Sequence, residues 1–267
     1  MKQKIFQVDA FTDEPYRGNP AAVCVLPEAK AEEWMQAVAR EMNLAETAFL
    51  LADGENNFQL RWFTPTVEIK LCGHATLACA HVLWEEGLVK ADAGISFQTL
   101  SGTLTAKRAG EWIELDFPAE PPVKEDSYPS ELRDALAVEP RYVGRNRFDF
   151  LVEVESEEVL RSLAPDMRLL SSLRTRGVIV TSRSDDAKYD FVARFFAPGA
   201  GIDEDPVTGS AYCCLGPFWR ERAGRDEMLA YQASARGGVV RVRLAGEGRV
   251  LLGGQAVTTL NGELLYA

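Results

Sequence analysis

The spacing of apolar and polar positions predicts a chain that mixes strands and helices. Near the N-terminus Ile5, Gln7 and Asp9 alternate with Phe6, Val8 and Ala10, the period of a strand. Ala31, Trp34, Met35, Val38, Ala39 and Met42 then fall at i, i+3, i+4, i+7, i+8 and i+11. That spacing gives one apolar helix face, with Asn43 as its stop. Residues 44–51 read as a buried strand, and residues 73–86 as a second helix closed by Gly87. Residues 95–117 predict two or three strands, with turns at Ser101-Gly102 and Ala109-Gly110. A stretch rich in Pro and acidic residues, 119–129, reads as a linker. Beyond it, residues 156–173 are helical in pattern but broken by Pro165. Strands follow at 178–181 and 190–196, then a helix after Thr208 that Pro217 should kink, then strands to the C-terminus.

The pattern runs through twice. Phe58-x-x-Arg61-Trp62-Phe63-x-Pro65 matches Phe191-x-x-Arg194-Phe195-Phe196-x-Pro198 at an offset of 133. Farther on, Phe97-Gln98 matches Tyr231-Gln232 at 134, and Gly102 matches Gly237 at 135. Matches in one order at a slowly drifting offset are the mark of a duplication with small insertions. The expected fold class is therefore α+β. It has two similar duplicated domains, each a mostly antiparallel, barrel-like sheet around a central helix. The domains are expected at 1–117 and 118–253, with residues 254–267 able to return to the first.

Composition narrows the function. Lys and Arg number 29 against 40 Asp and Glu, a net charge of −11. That balance argues against a nucleic-acid partner, which needs cations to displace counterions. It also gives no basic stripe for an anionic membrane. No apolar run is long enough to span a bilayer, and no signal peptide is apparent at residues 1–10, so a cytoplasmic protein is expected. Five cysteines without C-x-x-C, and only two histidines, point away from disulfides, zinc or any other metal. No nucleotide motif is present: Gly199-Ala200-Gly201 lacks the third glycine of a dinucleotide fingerprint. No cofactor is expected.

The candidate chemistry lies at two helix starts and one strand. Leu71-Cys72-Gly73-His74-Ala75-Thr76 opens one helix, and Asp205-Pro206-Val207-Thr208-Gly209-Ser210 opens its repeat. Glycine admits close approach, and a helix N-terminus offers unpaired N–H donors to a carboxylate. The alternative is a pair of ordinary helix caps. Glu46 shares a strand face with Leu44, Ala48 and Leu50, so it is either buried, with a pKa suited to acid–base work, or a solvent-facing strand-start residue. His74 could hold a substrate group, relay a proton, or be structural. His81, seven residues on, is too far to share an ion with it. Asp205 is an Asx-turn or cap residue, or a proton carrier; at offset 133 its counterpart is Cys72, which suggests a two-base layout. Cys24, Cys79, Cys213 and Cys214 read as core residues.

Taken together these motifs resemble the PhzF-like (phenazine biosynthesis-like) family of the diaminopimelate epimerase-like superfamily. The residues that carry the resemblance are Asp9-Ala10-Phe11, Gly18-Asn19-Pro20, Asn43-Leu44-Ala45-Glu46-Thr47, Phe63-Thr64-Pro65, Cys72-Gly73-His74-Ala75-Thr76 and Gly201-Ile202-x-Glu204-Asp205-Pro206-Val207-Thr208-Gly209-Ser210-Ala211. They cover nearly the whole chain. The resemblance implies an active site between two similar domains and cofactor-independent isomerisation by proton transfer. In the phenazine-pathway member the substrate is 2,3-dihydro-3-hydroxyanthranilate. Family positions place Glu46, His74 and Asp205 as catalytic residues, and Asn19, Gly73, Gly209 and Ser210 as substrate-binding residues. A homodimer is also implied. Ala45 stands where some members carry a serine before the glutamate, so a hydroxyl that could bond the phenazine substrate is missing here.

Three functions are expected to compete. The first is an isomerase that moves a proton on a small carboxylate-bearing substrate, with Glu46 as general base and acid. The second is an amino-acid epimerase or racemase using Cys72 and Asp205. The third is a non-catalytic small-molecule binding protein.

Overall fold

A computed structural model describes residues 2–246 and 248–266. The chain divides into two compact units, 1–117 with 252–267, and 118–251.

The first unit contains β1 (Gln3–Ala10), β2 (Asn19–Leu26), α1 (Glu32–Met42), β3 (Glu46–Ala52), β4 (Asn57–Phe63), β5 (Glu68–Ile69), α2 (Gly73–Glu85), β6 (Ile95–Thr99), β7 (Gly102–Ala109) and β8 (Trp112–Pro118). β1 is antiparallel to β2, and β2 is parallel to β3. β4 is antiparallel to β3 and β5 and parallel to β6, which continues antiparallel through β7 to β8.

The second unit holds β9 (Val123–Lys124), α3 (Ser130–Leu136), β10 (Tyr142–Arg145), β11 (Asp149–Glu153), α4 (Glu157–Ser162), α5 (Met167–Ser172), β12 (Gly177–Arg183), β13 (Phe191–Ala197), β14 (Ile202–Glu204), α6 (Gly209–Ala223), β15 (Glu227–Gln232) and β16 (Gly238–Leu244). Its ladder repeats the first: β11 is parallel to β12, and β13 is antiparallel to β12 and β14 but parallel to β15. β17 (Arg249–Gly254) carries the chain back, and β18 (Ala256–Leu264) lies antiparallel on β1. The fold is α+β, and mostly antiparallel in each unit. A parallel neighbour cannot be reached by a tight turn, so α1 and α2 fill the two crossovers of the first unit, and α4 with α5, and α6, those of the second.

The helices differ as their sequences demand. α1 buries one face, Met35, Val38 and Ala39, against Phe49 and Phe63. It ends at Asn43 with φ 51°, the left-handed cap that asparagine tolerates. α2 is apolar on all sides and buried along its length, including Leu77, Cys79, Val82 and Leu83. Each large aliphatic side chain buried there contributes about 1.5–3 kcal/mol. Pro165 does separate two helices, each started by a side-chain cap, Ser156 and Asp166.

Pro217 lies inside α6, which runs through it as one helix. Proline removes the N–H that would reach the Cys213 carbonyl. The backbone N–H of Glu120 donates to that carbonyl instead, at 2.9 Å. Part of the proline's cost is thereby offset.

Register corrects the repeat in two places. Phe63 pairs with Glu68, and Phe196 with Glu204, so the second copy carries three extra residues between these partners. The helix starts Gly73 and Gly209 are therefore equivalent at offset 136, and Cys72 corresponds to Thr208 rather than Asp205. Asp205 follows Glu204 as Ile69 follows Glu68. In β6 and β15, Phe58 pairs with Phe97 and Phe191 with Ala230, so Phe97 matches Ala230, one residue from the match read in the sequence. A one-residue slip turns every side chain to the other face, and Gln98 is indeed exposed where Gln232 is buried.

Candidate active site

Three element ends in the first unit bring together Asn19, Glu46, Cys72 and His74. Asn19 opens β2. It follows Gly18, whose φ is +61° and whose Cβ would sit 2.2 Å from the Ala10 carbonyl, so only glycine fits. The buried Asp9 carboxylate accepts the Tyr16 N–H at 2.7 Å and fixes the same loop. Glu46 opens β3 opposite Ala21 of β2. Phe49 faces the core under α1, so Glu46, Ala48 and Leu50 face the other way. Cys72 caps α2 in an extended conformation, its carbonyl accepting the Thr76 N–H at 3.2 Å and the Thr76 hydroxyl at 2.5 Å. Gly73 and His74 are the first two residues of α2.

His74 is the hub. Its Nε2 lies 2.9 Å from Glu46 Oε2, and its Nδ1 lies 3.2 Å from Asn19 Nδ2 and 3.5 Å from Cys72 Sγ. The 2.9 Å approach is an ionic contact, and among the described residues Oε2 meets no other donor, which leaves it a lone pair for one more. All four residues are less than a tenth exposed.

Burial alone pulls the His74 ring down. Its contacts with Cys72 and Glu46 outweigh it and hold the ring well above an ordinary histidine. Burial, helped by Glu46, pushes the Cys72 thiol up against the pull of His74, so the thiol stays protonated near neutrality. Glu46 is then the partner that matters to His74 at neutral pH. An imidazolium here needs the Asn19 amide turned with its oxygen toward Nδ1.

Glu46, Cys72 and His74 also present ligand atoms within 4.8 Å of one another, a set that could hold a metal ion. The 2.9 Å carboxylate–imidazole separation fits a shared proton better. Two ligands on one tetrahedral zinc stand about 3.3 Å apart.

Asp205 lies in the second unit, buried just before α6. The Thr208 hydroxyl donates to its carboxylate. Gln232 clamps the segment: its Nε2 donates to the Asp205 carbonyl at 2.8 Å, and its Oε1 accepts the Thr208 N–H at 3.0 Å. Gly209 and Ser210 follow as the first residues of α6, Gly209 buried and Ser210 half-buried.

The sequence reading passed over Gln232. A signal existed, since Gln232 continues the inward alternation of Met228 and Ala230 along β15, where a polar residue needs partners. Cys24, Cys79, Cys213 and Cys214 are all buried, as read. Burial pushes Cys24 and Cys213 up to about 12. His81 serves elsewhere, 3.3 Å from Glu85 and 3.2 Å from the Thr258 hydroxyl. Among the described residues no helix is long and apolar enough to cross a membrane.

Known proteins resemble this chain from end to end. A protein from Halalkalibacterium halodurans, named an uncharacterized isomerase, is 56% identical over 265 residues, covering 99% of both chains. One from Pseudomonas aeruginosa, also named an uncharacterized isomerase, is 47% identical over 266 residues with the same coverage. The crystal structure of a PhzF-family phenazine biosynthesis protein from Enterococcus faecalis superposes with a TM-score of 0.94 at 40% identity, over 99% of each chain. The family profile described as phenazine biosynthesis-like protein matches residues 8–262. This chain belongs to the phenazine biosynthesis-like, PhzC-PhzF, family.

Proposed function

We propose that this protein is a cofactor-independent isomerase that moves a proton on a small carboxylate-bearing substrate. Glu46 takes the proton from carbon and returns it at another position. The observation that carries this reading is the buried contact of Glu46 Oε2 with His74 Nε2 at 2.9 Å. A carboxylate held against an imidazole can lose and regain a proton without leaving charge stranded in a low-dielectric site. His74 is the relay, steadied by Asn19. The N–H groups at the start of α2, from Gly73 onward, suit the substrate carboxylate. Asp205 takes a second proton-handling role, with Gly209 and Ser210 as binding groups. The isomerase names of two relatives support the reaction class.

The test is proton NMR in D2O with dihydrohydroxyanthranilate and a panel of amino and hydroxy acids. Wild type should place deuterium on a carbon of one compound. Glu46→Gln should lose that exchange and keep its circular dichroism spectrum. Full exchange in the variant would contradict the assignment.

A further inference from the structure

Trp62 is 1% exposed, and its indole Nε1 has no hydrogen-bond partner among the described residues. Two other buried indoles, on α2 and α6, are satisfied: Trp84 donates to the Ala93 carbonyl at 3.2 Å and Trp219 to the Thr181 hydroxyl at 2.9 Å. A buried donor left without an acceptor costs about 1–3 kcal/mol, so such a group calls for a function.

Register places Trp62 relative to Glu46. Trp62 of β4 pairs directly with Ala48 of β3, and Glu46 is two residues along on the same face. Glu46 and Trp62 are therefore diagonal cross-strand neighbours, within reach for a long and an aromatic side chain. The duplicated unit supplies an internal control. Ile179 pairs with Phe195 there, so Phe195 stands for Trp62 and Gly177 for Glu46. A Cβ at Gly177 would meet the Phe195 ring at 2.4 Å. Phe195 thus leans over a residue with no side chain, whereas Trp62 stands diagonal to a carboxylate.

We propose that the Trp62 indole and Glu46 form a two-point subsite for one hydroxyl oxygen of the substrate, which accepts from Nε1–H and donates to Oε2. Only a group that both accepts and donates satisfies the two atoms together. A substrate carboxylate would face Glu46 with like charge, an ammonium cannot accept from the indole, and a ketone oxygen cannot donate to Glu46. In the unliganded protein a water molecule has the same chemistry. In the second unit both halves of the pair are missing together, since Phe195 has no N–H and Gly177 no carboxylate. The inference assigns a substrate class to the proposed isomerase, a hydroxy acid, and rests on the reading of Glu46 as a site residue.

Two measurements test it. In an atomic-resolution crystal structure of the free protein, an ordered oxygen should lie within hydrogen-bond reach of both Trp62 Nε1 and Glu46 Oε2. A dry indole packed on carbon, or one bonded to a backbone carbonyl, would overturn the subsite. In solution, the five indole cross-peaks of the 15N-labelled protein report on Trp34, Trp62, Trp84, Trp112 and Trp219. Glu46→Gln should shift the Trp62 peak and leave the other four in place. Glycolate should shift it in wild type, and acetate at equal concentration should not. A peak moved equally by both acids, or by neither, overturns the hydroxyl assignment. Neither readout needs turnover. A failed subsite with Glu46-dependent exchange would leave the proposed reaction standing, and the converse would remove the reaction alone.

Discussion

The two units share a ladder, yet their strand starts do opposite things. In the first, β3 opens with Glu46 beside His74. In the second, the equivalent strand opens with Gly177 under the Phe195 ring, and the nearby charge is structural: Arg176 donates two hydrogen bonds to the fully buried Asp149, which pairs with Gly177. The helix starts diverge in the same way, Cys72-Gly73-His74 against Thr208-Gly209-Ser210. The Arg–Glu pair ahead of each helix persists, Arg61 with Glu68 at 2.6 Å and Arg194 with Glu204 at 2.7 Å. The duplication kept what holds the strands and changed the side chains at the strand and helix starts. One copy keeps a titratable pair in contact, while the other holds its carboxylate, Asp205, under a Thr208 and Gln232 clamp.

The comparison can be broken at several points. Glu46→Gln removes the proposed base from the first unit, and turnover in the D2O exchange assay should fall by roughly 10²–10⁴. Asp149→Ala strands Arg176 in the second unit. The penalty, read by urea denaturation, should reach up to about 3 kcal/mol, at the low end for a buried pair because Arg176 retains solvent. Gly177→Ala inserts a Cβ against Phe195 and should cost about 1–3 kcal/mol by the same measurement, so the second unit cannot be given the side chain of the first without strain.

The smallest effect is a pH dependence. His74 binds its proton more tightly folded than unfolded, because Cys72 and Glu46 outweigh its burial. Its contribution to stability is therefore complete below 6.5, the ordinary histidine value, and is lost as pH rises through the raised folded value. Urea midpoints between pH 6 and pH 9 should show this decline in wild type. His74→Gln should flatten it.

Much of this architecture was legible because it is written in periodicity. The α1 face, the Asn43 stop, the turns at Gly102 and Gly110 and the break at Pro165 each rest on a local rule that tertiary packing did not override. How α6 continues through Pro217 could not be read locally, because the Glu120 N–H that serves the Cys213 carbonyl is 93 residues away in the chain. The positional equivalence of Cys72 with Asp205 failed for another reason. Three inserted residues ahead of α6 leave no mark on composition and show only in the pairing of Phe196 with Glu204. Glu46 and His74 were found through motifs, but their contact, and the place of Trp62 beside Glu46, depend on register and could not be read along the chain.

The central claim is that Glu46, and not the neighbouring Cys72 thiol, moves the proton. The direct measurement is deuterium incorporation into substrate carbon in D2O, followed by proton NMR for wild type, Glu46→Gln and Cys72→Ser side by side. The account predicts that Cys72→Ser retains most of the wild-type exchange while Glu46→Gln loses it. Exchange that survives in Glu46→Gln and disappears in Cys72→Ser would contradict the account and assign the proton to the thiol.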